Sequence, residues 1–349
     1  MGYRSTVPNT RFSSKFAVMD EAFRRLGAVL DSPSGDTFVW RLTIDGRCLT
    51  FFAETFPLNT ASAWRLARDK LASYQVLEAA GVRIPRGLAY FKPSRVAGAT
   101  HVEPQRLVET LEEQLRQTFP DECQGPESLF VVKPGEASGG AGVRICRGIK
   151  ETLAYAAQVF DWGHYGLVQE FVRGAEYRVV ILNGACLLTY ERTNASLTGD
   201  GLRSIEELLR QINPQLCVSL CLATNFERLA KLSARPEVTL KSVLAPGDQL
   251  ELCLEANNLS QGGRPIVHPQ PPASILKSAL RAHALLGLSF SGVDIRLPSA
   301  DAEPVILEVN ANPGFMFFRQ YYPELTDGLV DKIAAAIVQF VHKHGERSM

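Results

Sequence analysis

Two short apolar runs late in the chain constrain it more than any other feature. Gly292 to Leu297 and Pro304 to Asn310 both read as strands, and each carries an acid in its middle, Asp294 and Glu308. Alternate strand residues face the same side, so Glu308 and Asn310 present two oxygen donors together, about 7 Å apart along the backbone. Pairing of the two runs would bring Asp294 to the same place. A lone acid on either run would read as a solvated surface charge. Two acids within runs this apolar need compensation when buried. Hard oxygen donors in this number suit Mg²⁺, which is commonly held by one or two carboxylates together with phosphate oxygens.

The rest of the chain supplies strands and helices in no regular alternation. Asp20 to Leu30 is helical in pattern, and Phe38 to Ile44 and Arg47 to Ala53 flank Asp45-Gly46, a strong hairpin turn signal. One helix is expected from Ser62 to Ala80, ending at Gly81 ahead of Pro85. After a polar stretch from Gln117 to Ser128 come strands Leu129 to Lys133 and Gly166 to Val172, then a hairpin of Ala175 to Leu182 and Ala185 to Tyr190 turning at Asn183-Gly184. Ser204 to Ile212 and Ala273 to Leu286 read as helices, and Leu329, Ile333, Ile337 and Val341 mark a closing amphipathic helix. The fold class is therefore α+β, rich in antiparallel hairpins, rather than a doubly wound parallel sheet.

Several residues carry possible chemistry. Phe130 to Pro134 is a strand ending in Lys133, and it opens into Gly135-Glu136-Ala137-Ser138-Gly139-Gly140-Ala141-Gly142. A loop with this many glycines can bring backbone N–H groups close to phosphate oxygens. It matches neither the P-loop nor the dinucleotide-binding spacing. Lys70 lies on the expected long helix, Gln169, Glu170, Phe171 and Val172 end a strand, and Glu176, Arg178 and Arg192 lie on the following hairpin. Asn258, Ser260, Gly262 and Gly263 sit in a polar loop, and Asn312 and Gly314 follow the Glu308 strand. Taken singly, these would be a solvent-facing lysine, ordinary turns and surface charges.

Their order resembles the ATP-grasp superfamily. Asp69-Lys70, the strand to Lys133-Pro134, Gln169 to Val172, Gly174-Ala175-Glu176, the Asp294 strand and Glu308-Val309-Asn310-Ala311-Asn312-Pro313-Gly314 follow one another as that superfamily's motifs do. Within it the chain looks most like the ligase module of cyanophycin synthetase, then the glutathione synthetase-like part of bifunctional glutathione enzymes. Thr198-Gly199-Asp200-Gly201 leading into Ser204-Ile205-Glu206-Glu207-Leu208, and Asn258 to Gly263, support that choice.

The resemblance implies an ATP-grasp fold, two α+β subdomains clasping ATP, with a short N-terminal α/β region. The expected divisions are 1–62 on the substrate side, 63–172 as the central subdomain, and 173–349 as the C-terminal subdomain with the metal site. It implies roles residue by residue. Lys70, Lys133 and the Ser138, Gly139 and Gly140 loop would contact ATP phosphates; Gln169, Glu170, Phe171 and Val172 would form the adenine hinge; Glu176 would bind the ribose hydroxyls. Asp294, Glu308 and Asn310 would hold two Mg²⁺ ions, with Mn²⁺ an acceptable substitute. Arg178, Arg192, Gly262 and Gly263 would face the acyl phosphate or the carboxylate substrate, and Asn258, Ser260, Asn312 and Gly314 would bind the substrate.

The implied activity is an ATP-dependent carboxylate–amine ligase, working through an acyl phosphate on an amino acid or small peptide and releasing ADP and phosphate. Chemistry agrees, since a carboxylate must first gain a leaving group, and its transfer needs positioning and cationic clamps more than a covalent residue. No GxSxG nucleophile elbow is present. A small-molecule kinase on the same fold would keep the ATP residues but phosphorylate a hydroxyl, and a non-catalytic nucleotide-binding protein would give no turnover. The chain departs from cyanophycin synthetase in showing no second, P-loop module, and its first sixty residues match nothing in that family. D-alanine ligases have arginine two residues before the metal aspartate; Gly292 stands there, against simple D-alanyl-D-alanine synthesis.

Composition narrows the partners. The chain has 349 residues, 46% hydrophobic, with net charge +0 and pI near 7.0, so nothing favours general attraction to nucleic acid or anionic membranes. The odd set of 7 cysteines (Cys48, Cys123, Cys146, Cys186, Cys217, Cys221, Cys253) has no zinc spacing and suits a reducing compartment. The N-terminus lacks an apolar signal core, and its Gly2/Thr6 match to a myristoylation pattern reads as an ordinary N-terminus. No run reaches the roughly 18 apolar residues of a membrane span. A cytoplasmic location, small-molecule carboxylate and amine partners, and a family-type homodimer are the expectations.

Overall fold

The architecture is carried by two hairpins whose turns the sequence dictates. Asp45-Gly46 and Asn183-Gly184 all take positive φ, +48°, +67°, +49° and +76°. This is the two-residue turn whose twist matches antiparallel strands. The protein is described here by a computed structural model covering residues 10–33, 35, 38–52, 55–92, 104–125, 127–136, 140–161, 163–212, 235–252, 259 and 263–347.

In chain order, helix α1 (Thr10–Arg25) precedes β1 (Val29–Asp31), β2 (Val39–Ile44) and β3 (Arg47–Phe52). The expected Asp20–Leu30 helix thus starts earlier and stops at Arg25, where Gly27 (φ +76°) turns the chain into β1. Helices α2 (Ala61–Arg68) and α3 (Lys70–Ala79) lead to β4 (Gly87–Phe91), and α4 (Pro104–Thr118) to β5 (Leu129–Pro134) and β6 (Arg144–Arg147). Helix α5 (Gly148–Ala156), β7 (Tyr165–Glu170), β8 (Ala175–Leu182), β9 (Ala185–Thr193), β10 (Ala195–Thr198), α6 (Ile205–Ile212), β11 (Gln249–Leu252) and β12 (Arg264–Val267) follow. The last elements are α7 (Ala273–Leu285), β13 (Phe290–Leu297), β14 (Val305–Asn310), α8 (Met316–Arg319), α9 (Pro323–His344) and β15 (Glu346–Arg347).

The strands form antiparallel sheets of order β1-β2-β3-β15, β4-β7-β5-β6, β12-β9-β8-β13-β14 and β10-β11. The four-stranded central sheet packs Phe130, Val132 and Val168 against Leu111, Leu115 and Phe119 of the α4 region. The small β10-β11 sheet is covered by α6, whose start is a reciprocal capping box: Glu207 N–H donates to Ser204 Oγ (3.3 Å) and Ser204 N–H to Glu207 Oε2 (2.8 Å).

The five-stranded sheet decides where a site can be. One face, with Tyr177, Val179, Ile181, Val293 and Ile295, is sealed under α7, α2 and α3. The other face changes character along β8. Glu176 and Arg178 are followed on the same side by Val180 and Leu182, which join Phe290, Trp40, Leu42 and helix α9 in a second core. Half of that face is core; the other half carries charge. Leu329, Ile333, Ile337 and Val341 are all buried there, as their four-residue spacing requires.

The expected single helix from Ser62 to Ala80 is broken at Asp69, which is extended (φ −89°, ψ 106°). Asp69 Oδ1 accepts from Ala72 N–H (3.0 Å) and from Tyr165 Oη–H (2.6 Å), and the Lys70 N–H donates outward to Gly135 O (3.2 Å). Ser73 Oγ takes the Leu66 carbonyl instead (2.7 Å). Neighbours from the central sheet thus outcompete continuous helix, a competition Asp and Ser side chains are suited to win.

Candidate functional site

Strand register assembles the site. Asp294 is directly opposite Glu308 on β14 and Arg178 on β8, and Gly292 is opposite Asn310. Glu176 is opposite Arg192 on β9 and Arg296 on β13. The condition set by the two acid-bearing runs, that they pair, is met. Their register shifts at Asp294/Ile295, passing Leu307 over as a bulge. The Leu307 carbonyl is taken by Tyr74 Oη–H at 2.6 Å, and Tyr74 Oη in turn accepts from Lys133 Nζ at 3.0 Å.

The charged half-face is one connected ladder. Arg178 grips Asp294 through both forks of its guanidinium, with Nη2 to Oδ2 at 2.7 Å. Arg192 reaches Asp294 (3.3 Å) and Glu176 Oε1 (3.3 Å). Arg296 holds Glu176 Oε2 (2.7 Å) and the Val172 carbonyl (2.7 Å). Beyond Asp294, the Asn310 amide lies 3.4 Å from Oδ2, and Glu308 pairs with Lys70 Nζ at 3.1 Å. Among the described residues, three guanidiniums face two carboxylates in the ladder proper, and Lys70 and Glu308 cancel, so Lys133 raises the positive surplus to two. An excess of buried positive charge is costly without an anionic ligand.

Burial shapes the titrations. Desolvation lowers the Lys133 ammonium to about 8, against the pull of Glu308, Asp294 and Glu176. Burial works to raise Asp294, but Arg178 and Arg192 overcome it and hold the carboxyl below its usual range. Burial pushes the Tyr74 phenol up, so it stays a donor.

The expected site residues fall into three sets. Lys70, Lys133, Glu176, Arg178, Arg192, Asp294, Glu308 and Asn310 are brought onto or against the charged half-face. Gln169 is buried in β7, paired with Gly87 and Val131, and Phe171 and Val172 follow that strand's end. Phe171 lies beneath the Arg296 guanidinium, 5.3 Å from its ring centre. Glu170 turns the other way, its Oε1 accepting from Arg86 N–H (3.0 Å). Gly140 has φ +77°, Gly263 offers its carbonyl to Tyr321 Oη–H (3.4 Å), Asn312 is half-buried and Gly314 exposed after β14. Ser138, Gly139, Asn258, Ser260 and Gly262 lie outside the described residues.

Asp294, Glu308 and Asn310 on adjacent strands offer oxygen donors of the kind a divalent cation takes, and each carboxylate is now paired with cationic side chains. Among the described residues no group of three His, Cys, Asp or Glu forms a metal cluster, so the third donor would be Asn310. A side chain at Gly292 has no room beside them, because a Cβ there would stand 2.7 Å from Pro313 Cβ and 3.0 Å from Arg178.

Sequence reasoning missed Tyr74, Arg296 and Asn59. Tyr74 lies four residues after Lys70, one helical turn away, and Arg296 two after Asp294 on the same strand face, so periodicity could have found both. Asn59 joins the segment before α2 to the site strands, its side chain bonding Phe290 O (2.8 Å), Ala311 O (2.5 Å) and Ser289 N–H (2.8 Å). A loop asparagine gives no such signal.

The architecture is the ATP-grasp fold, and residues 67–201 match the ATP-grasp domain family. A bifunctional glutathione synthetase from Pasteurella multocida superposes with TM-score 0.55 at 16% identity, covering 96% of this chain and 45% of that one. A D-alanine–D-alanine ligase from Bacillus anthracis gives 0.51 at 15%, covering 82% and 70%. Among curated proteins, the chain is 25% identical over 284 residues to the glutathione biosynthesis bifunctional protein of Desulfotalea psychrophila, covering 77% of this chain and 34% of that one. It is 26% identical over 296 residues to the cyanophycin synthetase of Geminocystis herdmanii, covering 79% and 30%. The chain thus spans about a third of the length of these curated relatives. No helix among the described residues is long and apolar enough to cross a membrane.

Proposed function

We propose that the protein is an ATP-dependent carboxylate–amine ligase that activates an amino acid or small peptide as an acyl phosphate. The observation that carries this reading is the single charged half-face on which Lys70, Lys133, Glu176, Asp294, Glu308 and Asn310 meet with Arg178, Arg192 and Arg296, leaving a surplus of positive charge among the described residues. Similarity to ligases of amino acids and peptides supports that substrate class.

Each group has a task in that reaction. Lys133 and Lys70 bind the triphosphate, Glu176 accepts from the ribose hydroxyls, and Gln169 to Val172 line the base. Asp294, Glu308 and Asn310 would hold Mg²⁺, which when bound neutralises phosphate charge and polarises the phosphoryl oxygens. A substrate carboxylate oxygen attacks the γ-phosphorus, and ADP leaves. The amine nitrogen then attacks the acyl carbon, phosphate departs with the C–O bond electrons, and the nitrogen loses its proton. Arg178 and Arg192, held in place by Asp294 and Glu176, would set fixed positive charge beside the acyl phosphate.

The test is ADP and phosphate release with ATP and Mg²⁺ against the twenty amino acids, alone and in pairs, with products weighed by mass spectrometry. Release that requires a pair, with the condensed mass, is the expected result. Release with one hydroxyl compound and a phosphorylated product would replace the ligase with a kinase. No binding of ATP would refute the site itself.

A further inference from the structure

We infer that Arg296 is a nucleoside-positioning residue, which fastens the ribose-binding carboxylate Glu176 to the base-binding hinge so that the two anchors act as one. The inference rests on the nucleotide site proposed above.

Arg296 stands on β13 two residues after Asp294 and therefore on the same face. Its Nη1 donates to the Val172 carbonyl and its Nη2 to Glu176 Oε2, both at 2.7 Å. Val172 follows the end of β7, in the central sheet, whereas Glu176 opens β8, in the five-stranded sheet. One guanidinium thus bridges the segment where the chain passes from one sheet to the other. Its plane rests over Phe171, the residue between Glu170 and Val172, at 5.3 Å. Arg296 therefore touches Phe171 and Val172 of the hinge and the carboxylate four residues beyond Val172. Its Nε is buried with no hydrogen-bond partner among the described residues. A buried donor without a partner costs stability, so this one is poised for an acceptor on a ligand lying along the ladder.

Glu176 is gripped at both oxygens, Oε1 by Arg192 and Oε2 by Arg296. A carboxylate held on both oxygens has lost its rotamer freedom before the ligand arrives. A lysine could replace the charge but not the two-point grip, since a single ammonium lacks the planar fork. The position also separates Arg296 from Arg192, which stands between Glu176 and Asp294, toward the phosphates.

The experiment is calorimetric titration of the full chain with ATP and with 2′,3′-dideoxy-ATP, each with Mg²⁺, for wild type, Arg296→Met and Arg296→Lys, with thermal melts as a folding check. Wild type should bind ATP at least about tenfold more tightly than the dideoxy analogue, because charged hydrogen bonds to two hydroxyls are lost with the latter. In Arg296→Met that preference should shrink to about threefold or less, and Arg296→Lys should not restore it. Equal weakening of both nucleotides in the variants, with the wild-type ratio kept, would reduce Arg296 to a structural residue and overturn the inference. Wild-type binding of ATP and the analogue with equal affinity would overturn it too, while leaving the ligase reading standing. No ATP binding by wild type would sink both.

Discussion

Replacing Asp294 by asparagine tests the ladder without presupposing any reaction. The carboxylate is 5% exposed and faces two guanidiniums: Arg178 across both oxygens, and Arg192 at 3.3 and 3.4 Å. Asparagine keeps the shape but turns one acceptor into an NH₂ group aimed at a cation. Removing one partner of a buried ion pair costs about 3–5 kcal/mol, because the remaining charge is left uncompensated. In a chain of this size that corresponds to a fall in Tm of about 4–7 °C. The assay is urea and thermal unfolding in EDTA without nucleotide, so that no ligand masks the loss. Adding Arg178→Met to the asparagine variant should recover part of it, with a coupling of at least about 1.5 kcal/mol in the double-mutant cycle. The effect has a pH signature. Asp294 is depressed in the folded state, so its stabilisation is complete above the unfolded carboxyl value of about 3.9 and is lost as pH falls through the lower folded value. Wild type and variant should therefore differ at neutral pH and converge in strong acid. A variant within about 1 kcal/mol of wild type at pH 7 would refute the ladder as a buried, charge-compensated unit.

Three further outcomes follow from the same geometry. Glu308→Gln should reduce ligase turnover at least about 100-fold, since charge stabilisation at a metal site is worth several kcal/mol, and near-normal turnover would remove Glu308 from that site. Lys133, brought down to about 8 by burial, should take up a proton when an anionic nucleotide binds near pH 8.5; titrations in buffers of different ionisation enthalpy measure this, and zero uptake would contradict it. Its depressed value also means that the unfolded chain holds more protons between about 8 and 10.4, so this group's contribution to stability rises with pH across that window. Gly135→Ala should destabilise by about 2–4 kcal/mol, because the new Cβ would stand 1.8 Å from the Tyr165 ring and force its hydroxyl off Asp69, with a thermal melt as the check.

What could be read in the sequence was whatever local periodicity and turn chemistry control. The Asp45-Gly46 and Asn183-Gly184 turns, the buried stripe of α9, and the shared face of Glu308 and Asn310 all follow from spacing alone. The helix break at Asp69 did not, because the groups that cause it, Gly135 and Tyr165, are 66 and 96 residues away. Residue type suggested Arg178 and Arg192 but not their partners, since which acid a guanidinium meets is fixed by cross-strand register. The same holds for Glu308, whose neighbour Lys70 comes from a helix 238 residues earlier in the chain.

The core that joins residues 19–58 to residues 329–341 has a consequence for synthesis. Trp40, Leu42 and Phe23 are fully buried, and the surface that buries them includes Val330, Ile333, Ile337 and Val341. Those covering residues leave the ribosome some three hundred positions after the ones they cover, at a few to twenty residues per second. The sheet of β1 to β3 therefore waits about fifteen seconds or more for the helix that completes its core.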